Sequence, residues 1–236
     1  MTSAVVAATP ASWTVKSGTL EVLKWIGVVS MLVDHVNHAF DIQSIAALSF
    51  GRLAFPLFAF VFAYNLAAGD SSRMRRGMRR LMFAGVVSQL PYYLIFNDPL
   101  RLNIFFTFLL AALIIQVNPS KGTKERVTAV SLWLFGGLFV DYYHPGVTVV
   151  LAMYYALQPH RAHLERVSAM SAAFFVLSWF LMGLVGWPGA AVLLAWPLIA
   201  VARVIEPKLA RYPQVFYVIY PAHLALIAAA AATLNQ

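Results

Sequence analysis

The chain contains 236 residues, of which 61% are hydrophobic and only 11% are charged. Soluble proteins carry about 25% charged residues, so this balance excludes an ordinary soluble globular protein and indicates a polytopic membrane protein. The sequence contains no Cys, which excludes disulfides, thiolate nucleophiles and Cys-ligated metal sites.

The N-terminal residues 1–18 are small and polar, and we expect them to form a flexible cytoplasmic tail. Residues 19–236 are predicted to form a single transmembrane domain, an all-α polytopic bundle with about nine spans of roughly 20 residues each. A total of eight or ten spans is also possible, because the sixth run is short and only residues 186–189 divide the seventh run from the eighth. The apolar runs are 19–40, 46–68, 79–96, 102–117, 127–140, 146–157, 167–186, 188–204 and 215–233.

The distribution of basic residues predicts the orientation, because Lys and Arg in short connections stay on the cytoplasmic side. The odd-numbered predicted connections carry no Lys or Arg except Arg101 in the third, and the even-numbered ones carry two or more, which places the N-terminus in the cytoplasm and the C-terminus outside. Arginines in the second connection would attract nucleic-acid phosphate, but anionic lipid at the membrane surface explains them more simply, so we predict a lipid partner and no nucleic acid. These arginines are Arg73, Arg75, Arg76, Arg79 and Arg80.

The first apolar run contains the residues most indicative of chemistry. Lys24 and His35 are eleven positions apart, so they share a helix face and lie about 16 Å apart along the axis. Asp34 precedes His35, and His38 shares a face with Asp34. Ionisable residues inside a membrane are costly and indicate function by default. A His with a nearby carboxylate is typical of a general base, although the same residues could only hold helices together.

Arg52 begins the second run at a predicted depth close to that of Asp34, so we expect an Asp34–Arg52 ion pair that neutralises both charges. Gly51 would permit close helix approach. Asn103, at the start of the fourth run, could line the same cavity or make only interhelical hydrogen bonds.

Two further segments supply candidate polar groups. Asp141 and His144 lie in a predicted outward turn, which is either an acceptor site or a solvated loop. His223 lies about two turns into the last run and could join the cavity from the cytoplasmic side. His160 and His163 lie in a polar loop and are assigned no chemistry. We predict no metal site.

Several sequence blocks resemble the TraX family of conjugal-transfer membrane proteins over roughly residues 20–230. They are LK at 23–24, MLVDH at 31–35, GRLAFPLFAF at 51–60, NIFFTF at 103–108, DY at 141–142 with Gly146, and YPAH at 220–223. The resemblance implies a multi-pass protein of the bacterial inner membrane, an N-acetyltransferase that modifies the pilin subunit before pilus assembly. The spacing of Lys24 and His35 also resembles the basic-x10-His motif of type-3 membrane acyltransferases, in which the His is catalytic and acyl-CoA is the donor.

On this hypothesis His35, Asp34 and Arg52 are catalytic, with acetyl-CoA or another acyl donor as cosubstrate. Lys24 and His223 would contact the donor, while the substrate-site candidates are His38, Asn103, Asp141 and His144. The pilin subunit is the expected partner, with other membrane proteins of the transfer apparatus as further candidates.

Two other function classes remain open. A non-enzymatic pilin chaperone or assembly factor would use the intramembrane polar residues only for helix packing. A proton-coupled transporter or metal channel would use Asp34, His35, His38 and His223 as a relay or as ligands, although the sequence lacks the inverted repeat typical of transporters.

Overall fold

The computed structural model describes residues 14–158, 160–212 and 214–234, and within these ranges the chain forms helices and no strands, which confirms the all-α prediction. Residues 1–13 of the predicted tail lie outside the described residues, and the first helix begins at Ser17. The helices are α1 (Ser17–Ala39), α2 (Ile45–Gly51), α3 (Ala54–Ala67), α4 (Ser71–Phe96), α5 (Ile104–Val117), α6 (Thr123–Ser131), α7 (Tyr143–Ala156), α8 (His163–Val185), α9 (Ala195–Ile205) and α10 (Val215–Leu234), with a π-helical turn at Leu132–Gly136 and a 3₁₀ segment at Trp187–Leu194.

The arginine block that was expected in a connection is helical. Asp70 caps α4, since its Oδ1 accepts a hydrogen bond of 2.7 Å from the backbone N–H of Arg73. The same hydrogen bond lowers the pKa of the exposed Asp70 carboxyl below its usual value. Because of this cap, α4 starts eight residues before the predicted run and carries all five arginines in its first turns.

Four stretches of the described chain are long and apolar enough to cross a bilayer: Ile45–Ala67, His163–Val185, Trp187–Ile205 and Val215–Thr233. The predicted runs 102–117 and 146–157 form shorter helices. The helices α5 and α7 have 14 residues each, or about 21 Å, against about 30 Å of hydrocarbon. The run 127–140 is divided between α6, the π-helical turn and an irregular segment.

The core of the bundle is formed around α3, which packs against α1 and α7, while α10 packs against α4 and α1. Large aromatic side chains fill this core, including the fully buried Phe60, Phe105 and Phe108. Large apolar side chains remain exposed on the outer faces of α4, α8 and α9, for example Phe83, Trp179 and Val204. Large apolar side chains on the outer surface, in addition to those in the core, are typical of helices that face lipid.

The contact between α1 and the end of α2 is unusually close. Ser30 Oγ of α1 donates a hydrogen bond of 2.6 Å to the carbonyl oxygen of Phe50. A Cβ atom on Gly51 would lie only 2.5 Å from Cβ and Oδ1 of Asp34. No side chain therefore fits at Gly51 unless the two helices move apart.

We expect Gly51→Ala to destabilise the protein by about 1–3 kcal/mol, the usual cost of overpacking, and to lower the melting temperature of the purified chain in detergent. Gly183→Ala is the matched control, because a Cβ there meets no atom within 4 Å and Ala is the better helix former. Equal melting temperatures for wild type and Gly51→Ala would show that α1 and α2 do not approach as closely as described.

Candidate active site

An ion pair between Asp34 and Arg52 joins α1 to the junction of α2 and α3. Nη2 of Arg52 lies 2.5 Å from Oδ1 of Asp34, and the two side chains are only 13% and 16% exposed. The structure thus contains the pair that the sequence predicts. Charge-assisted hydrogen bonding of this kind offsets the cost of removing both groups from water.

His35 of α1 pairs with His223 of α10. Nδ1 of His35 lies 2.7 Å from Nε2 of His223, and Nδ1 of His223 lies 2.8 Å from the carbonyl oxygen of Ile219. The two imidazole rings are stacked with their centroids 4.9 Å apart. No group of three or more His, Cys, Asp or Glu residues that could hold a metal ion occurs in the described part of the chain.

The carbonyl of Ile219 determines which nitrogens of this pair carry protons. A carbonyl oxygen only accepts, so Nδ1 of His223 is protonated. Nε2 of neutral His223 therefore has a lone pair and accepts from Nδ1–H of His35. Neutral His35 then keeps a lone pair on Nε2, for which no hydrogen bond is found among the described residues. A nitrogen in this state can accept a proton or attack a carbonyl carbon.

His35 and Asp34 line a small cavity between α1, α3, α5, α10 and the segment before α7. Its volume is about 30 Å³, enough for about two water molecules. Asp141, Tyr142 and Tyr220 supply the other polar groups in its wall, and Phe55 and Phe58 are among its apolar residues. Arg52 contacts the wall through Asp34 and is not itself a lining residue.

The segment before α7 presents Asp141 and Tyr142 to this cavity. Thr107 Oγ1 of α5 donates a hydrogen bond of 2.7 Å to the carbonyl oxygen of Asp141, and the Tyr142 ring stacks on Phe55 at 4.3 Å. Asp141 lies in a connection outside the spanning stretches, and burial raises the pKa of its carboxyl to about 6. This carboxyl can therefore exchange a proton near neutral pH.

Lys24 lies in a separate cavity of about 90 Å³ on the side of α1 toward its N-terminus. Its Nζ is 2.7 Å from Glu21 and 2.6 Å from the carbonyl oxygen of Tyr212. The charge of Lys24, which was predicted to contact the acyl donor, is thus already neutralised by the carboxylate of Glu21. Phe58 lines both this cavity and the one at His35, and so separates the two.

The remaining substrate-site candidates do not line the cavity at His35. The side chain of Asn103 caps α5 by accepting from the N–H of Phe105, and it donates to the carbonyl oxygen of Gly85. His144 Nε2 lies 2.9 Å from the carbonyl oxygen of Leu134, and the exposed His38 stacks on Phe96 at 4.7 Å.

Two cavity residues, Tyr142 and Tyr220, were absent from the predicted site. Each adjoins a residue that the sequence singled out, Asp141 in one case and the segment of His223 in the other. Tyr in an apolar run indicates ordinary packing as readily as chemistry, so only their position in the wall identifies them.

Comparisons with known proteins agree with the sequence blocks. The chain is 29% identical over 161 residues to Protein TraX of Escherichia coli and 27% identical over 161 residues to Protein TraX of Escherichia coli strain K12. Each match covers 68% of this chain and 64% of the relative, so the chain spans under two thirds of the length of these relatives. No solved structure gave a significant match. The family model described as TraX protein matches residues 19–230, and the chain therefore belongs to the TraX protein family.

Proposed function

We propose that the chain is an acyltransferase of the bacterial inner membrane that uses an acetyl-CoA-type donor to modify the conjugative pilin subunit during pilus biogenesis. The observation that carries this proposal is the hydrogen-bonded series from Ile219 through His223 to His35, which leaves a basic Nε2 on His35, a residue that lines a cavity. Membership of the TraX family, a family of conjugal-transfer proteins, supports the place in pilus biogenesis.

In the proposed reaction, Nε2 of His35 removes a proton from the acceptor amine or hydroxyl as that group attacks the thioester carbonyl. The new bond joins the acyl carbon to the acceptor, and the carbon–sulfur bond breaks. His35, now an imidazolium, returns its proton to the departing thiolate. His223 supports the imidazolium because its Nε2 accepts from Nδ1–H of His35 in both states.

The other polar groups of the wall have distinct proposed parts. The Tyr142 hydroxyl in the wall and the guanidinium of Arg52, which binds Asp34 of the wall, would donate to an oxyanion that develops on the thioester oxygen. Asp141, with a pKa of about 6, would accept the proton of a charged acceptor amine before attack. Asp34 holds Arg52 in place and is a positioning residue.

We further propose that the N-terminus is cytoplasmic and that the chain crosses the membrane about nine times. The alternation of basic connections supports this orientation. Crossing by the 14-residue helices α5 and α7 would require local thinning of the bilayer around them, which costs a fraction of a kcal/mol per Å.

A non-enzymatic pilin assembly factor is the second candidate function. It is favoured by the pairing of the buried charges, since Asp34 binds Arg52 and Glu21 binds Lys24. Paired charges of this kind can serve packing alone. This candidate predicts that substitutions at His35 act only through the abundance of the protein.

The intact mass of pilin separates these two functions. We expect pilin from cells with the wild-type chain to carry a mass increment equal to one acyl group, and His35→Ala to abolish it at matched abundance, because a lost general base lowers the rate by about 10²- to 10⁴-fold. His163→Ala, at a histidine outside the cavity, should retain the increment. Unmodified pilin in every strain would establish the assembly-factor function instead.

The positioning part of His223 is tested by two substitutions. We expect His223→Ala to lower the rate of pilin modification about tenfold or more, because loss of one hydrogen bond of about 1.4 kcal/mol corresponds to that factor. His223→Gln should restore most of the rate, since a Gln amide can accept from His35 and donate to the Ile219 carbonyl. Rates are measured from the time course of the mass increment. Equal rates for Ala and Gln would refute the orienting part of His223.

A further inference from the structure

A third cavity lies beyond Lys24, near the N-terminal turns of α4. Its volume is about 190 Å³, and we name it the arginine cavity, because its wall contains Arg73, Arg76 and Arg80 of α4 together with Arg211 from the segment before α10. It shares the lining residues Phe62, Asn65 and Tyr217 with the cavity at Lys24.

The charge in this cavity is strongly positive. Asp70 is its acidic lining residue, but Oδ1 of Asp70 is occupied by the N–H of Arg73 and by Ser72 Oγ. Arg211 donates to the amide oxygen of Asn65 at 2.7 Å, a neutral partner. Among the described residues, none of the four cavity arginines forms an ion pair. Clustered guanidinium groups with free donors are typical of phosphate binding.

The three cavities follow one another along α3. Asn65 lines the arginine cavity and the Lys24 cavity, Phe58 lines the Lys24 cavity and the His35 cavity, and Phe55 lines the His35 cavity alone of the three. Ten residues separate Asn65 from Phe55, or about 15 Å along the helix. A ligand that spanned this path would have a charged head and an uncharged arm of about that length.

We propose that the arginine cavity binds the phosphate groups of the acyl donor, whose arm then follows α3 past Lys24 to Nε2 of His35. This inference rests on the proposed function. It assigns phosphate recognition to α4 and Arg211 instead of Lys24, whose charge is already neutralised by Glu21. The arm can reach His35 only when the rings of Phe58 and Phe216, whose centroids are 4.3 Å apart, turn aside.

The test measures binding of coenzyme A to the purified full-length chain in nanodiscs of phosphatidylcholine. We expect the double substitution Arg76→Gln and Arg80→Gln to raise the Kd at least tenfold. The matched control is Arg75→Gln with Arg79→Gln, which removes the same charge from the same helix at positions outside the arginine cavity, and it should change the Kd less than twofold. Adenosine 3′,5′-bisphosphate, which carries phosphates without the arm, should compete with coenzyme A.

Each contrary result is informative. Equal weakening in both double variants, or no binding to the wild type, would overturn the proposal. Nanodiscs that contain phosphatidylglycerol test whether a lipid headgroup supplies the phosphate, since complete loss of coenzyme A binding there would assign the cavity to lipid.

Pilin mass in the same strains separates this proposal from the proposed function. A His35-dependent increment that the Arg76 and Arg80 substitutions leave unchanged would overturn the arginine site and leave the acyltransferase intact. Arginine-dependent binding of coenzyme A without any pilin increment would overturn the proposed modification of pilin and leave the arginine site intact.

Discussion

The ion pair between Asp34 and Arg52 fixes α1 against the start of α3, and the site depends on this constraint. Removal of one partner from a buried pair costs about 3–5 kcal/mol, because the other charge is left alone in an apolar surrounding. The close approach at Gly51 reinforces the pair, since it brings the helix backbone within contact distance of Asp34. Successive residues of a helix point about 100° apart, so an anchored Asp34 turns His35 toward α10.

The contact with α10 determines which nitrogen of His35 carries the proton and which one is basic. His35 alone could carry its proton on either nitrogen, but the Ile219 carbonyl fixes His223, and His223 in turn fixes His35. Phe96 and Tyr220 contact the His35 ring edge to face and limit its rotation. The basic nitrogen is thus defined by three elements, α1, α4 and α10, that are far apart in sequence and meet only in the folded bundle.

The difference between local and tertiary information explains which parts of the site were predictable. The Asp34–Arg52 pair follows from sequence, because two opposite charges at one depth in lipid require each other. The His35–His223 contact does not, since residues 188 positions apart meet only through the packing of α1 and α10. Asn103 was assigned to the site although Asn before an apolar run also signals a helix N-cap, the role that its hydrogen bonds reveal. Helix lengths were overestimated at 127–140, where composition does not show the π-helical turn.

Charge is distributed unequally about His35, and this asymmetry bears on how two substrates could meet there. Toward α4 lie Phe58, then Lys24 paired with Glu21, and then four arginines that form no ion pair with any other described residue. On the other side the wall is formed by Asp141 and Tyr142, in a connection that bears no Lys or Arg from 141 to 146. In the proposed reaction, an anionic donor would therefore be drawn to one side and an amine acceptor to the other. His35 lines the same cavity as Asp141 and Tyr142, and Phe58 lines both this cavity and the one at Lys24, so the proposed donor and acceptor would reach His35 from different sides.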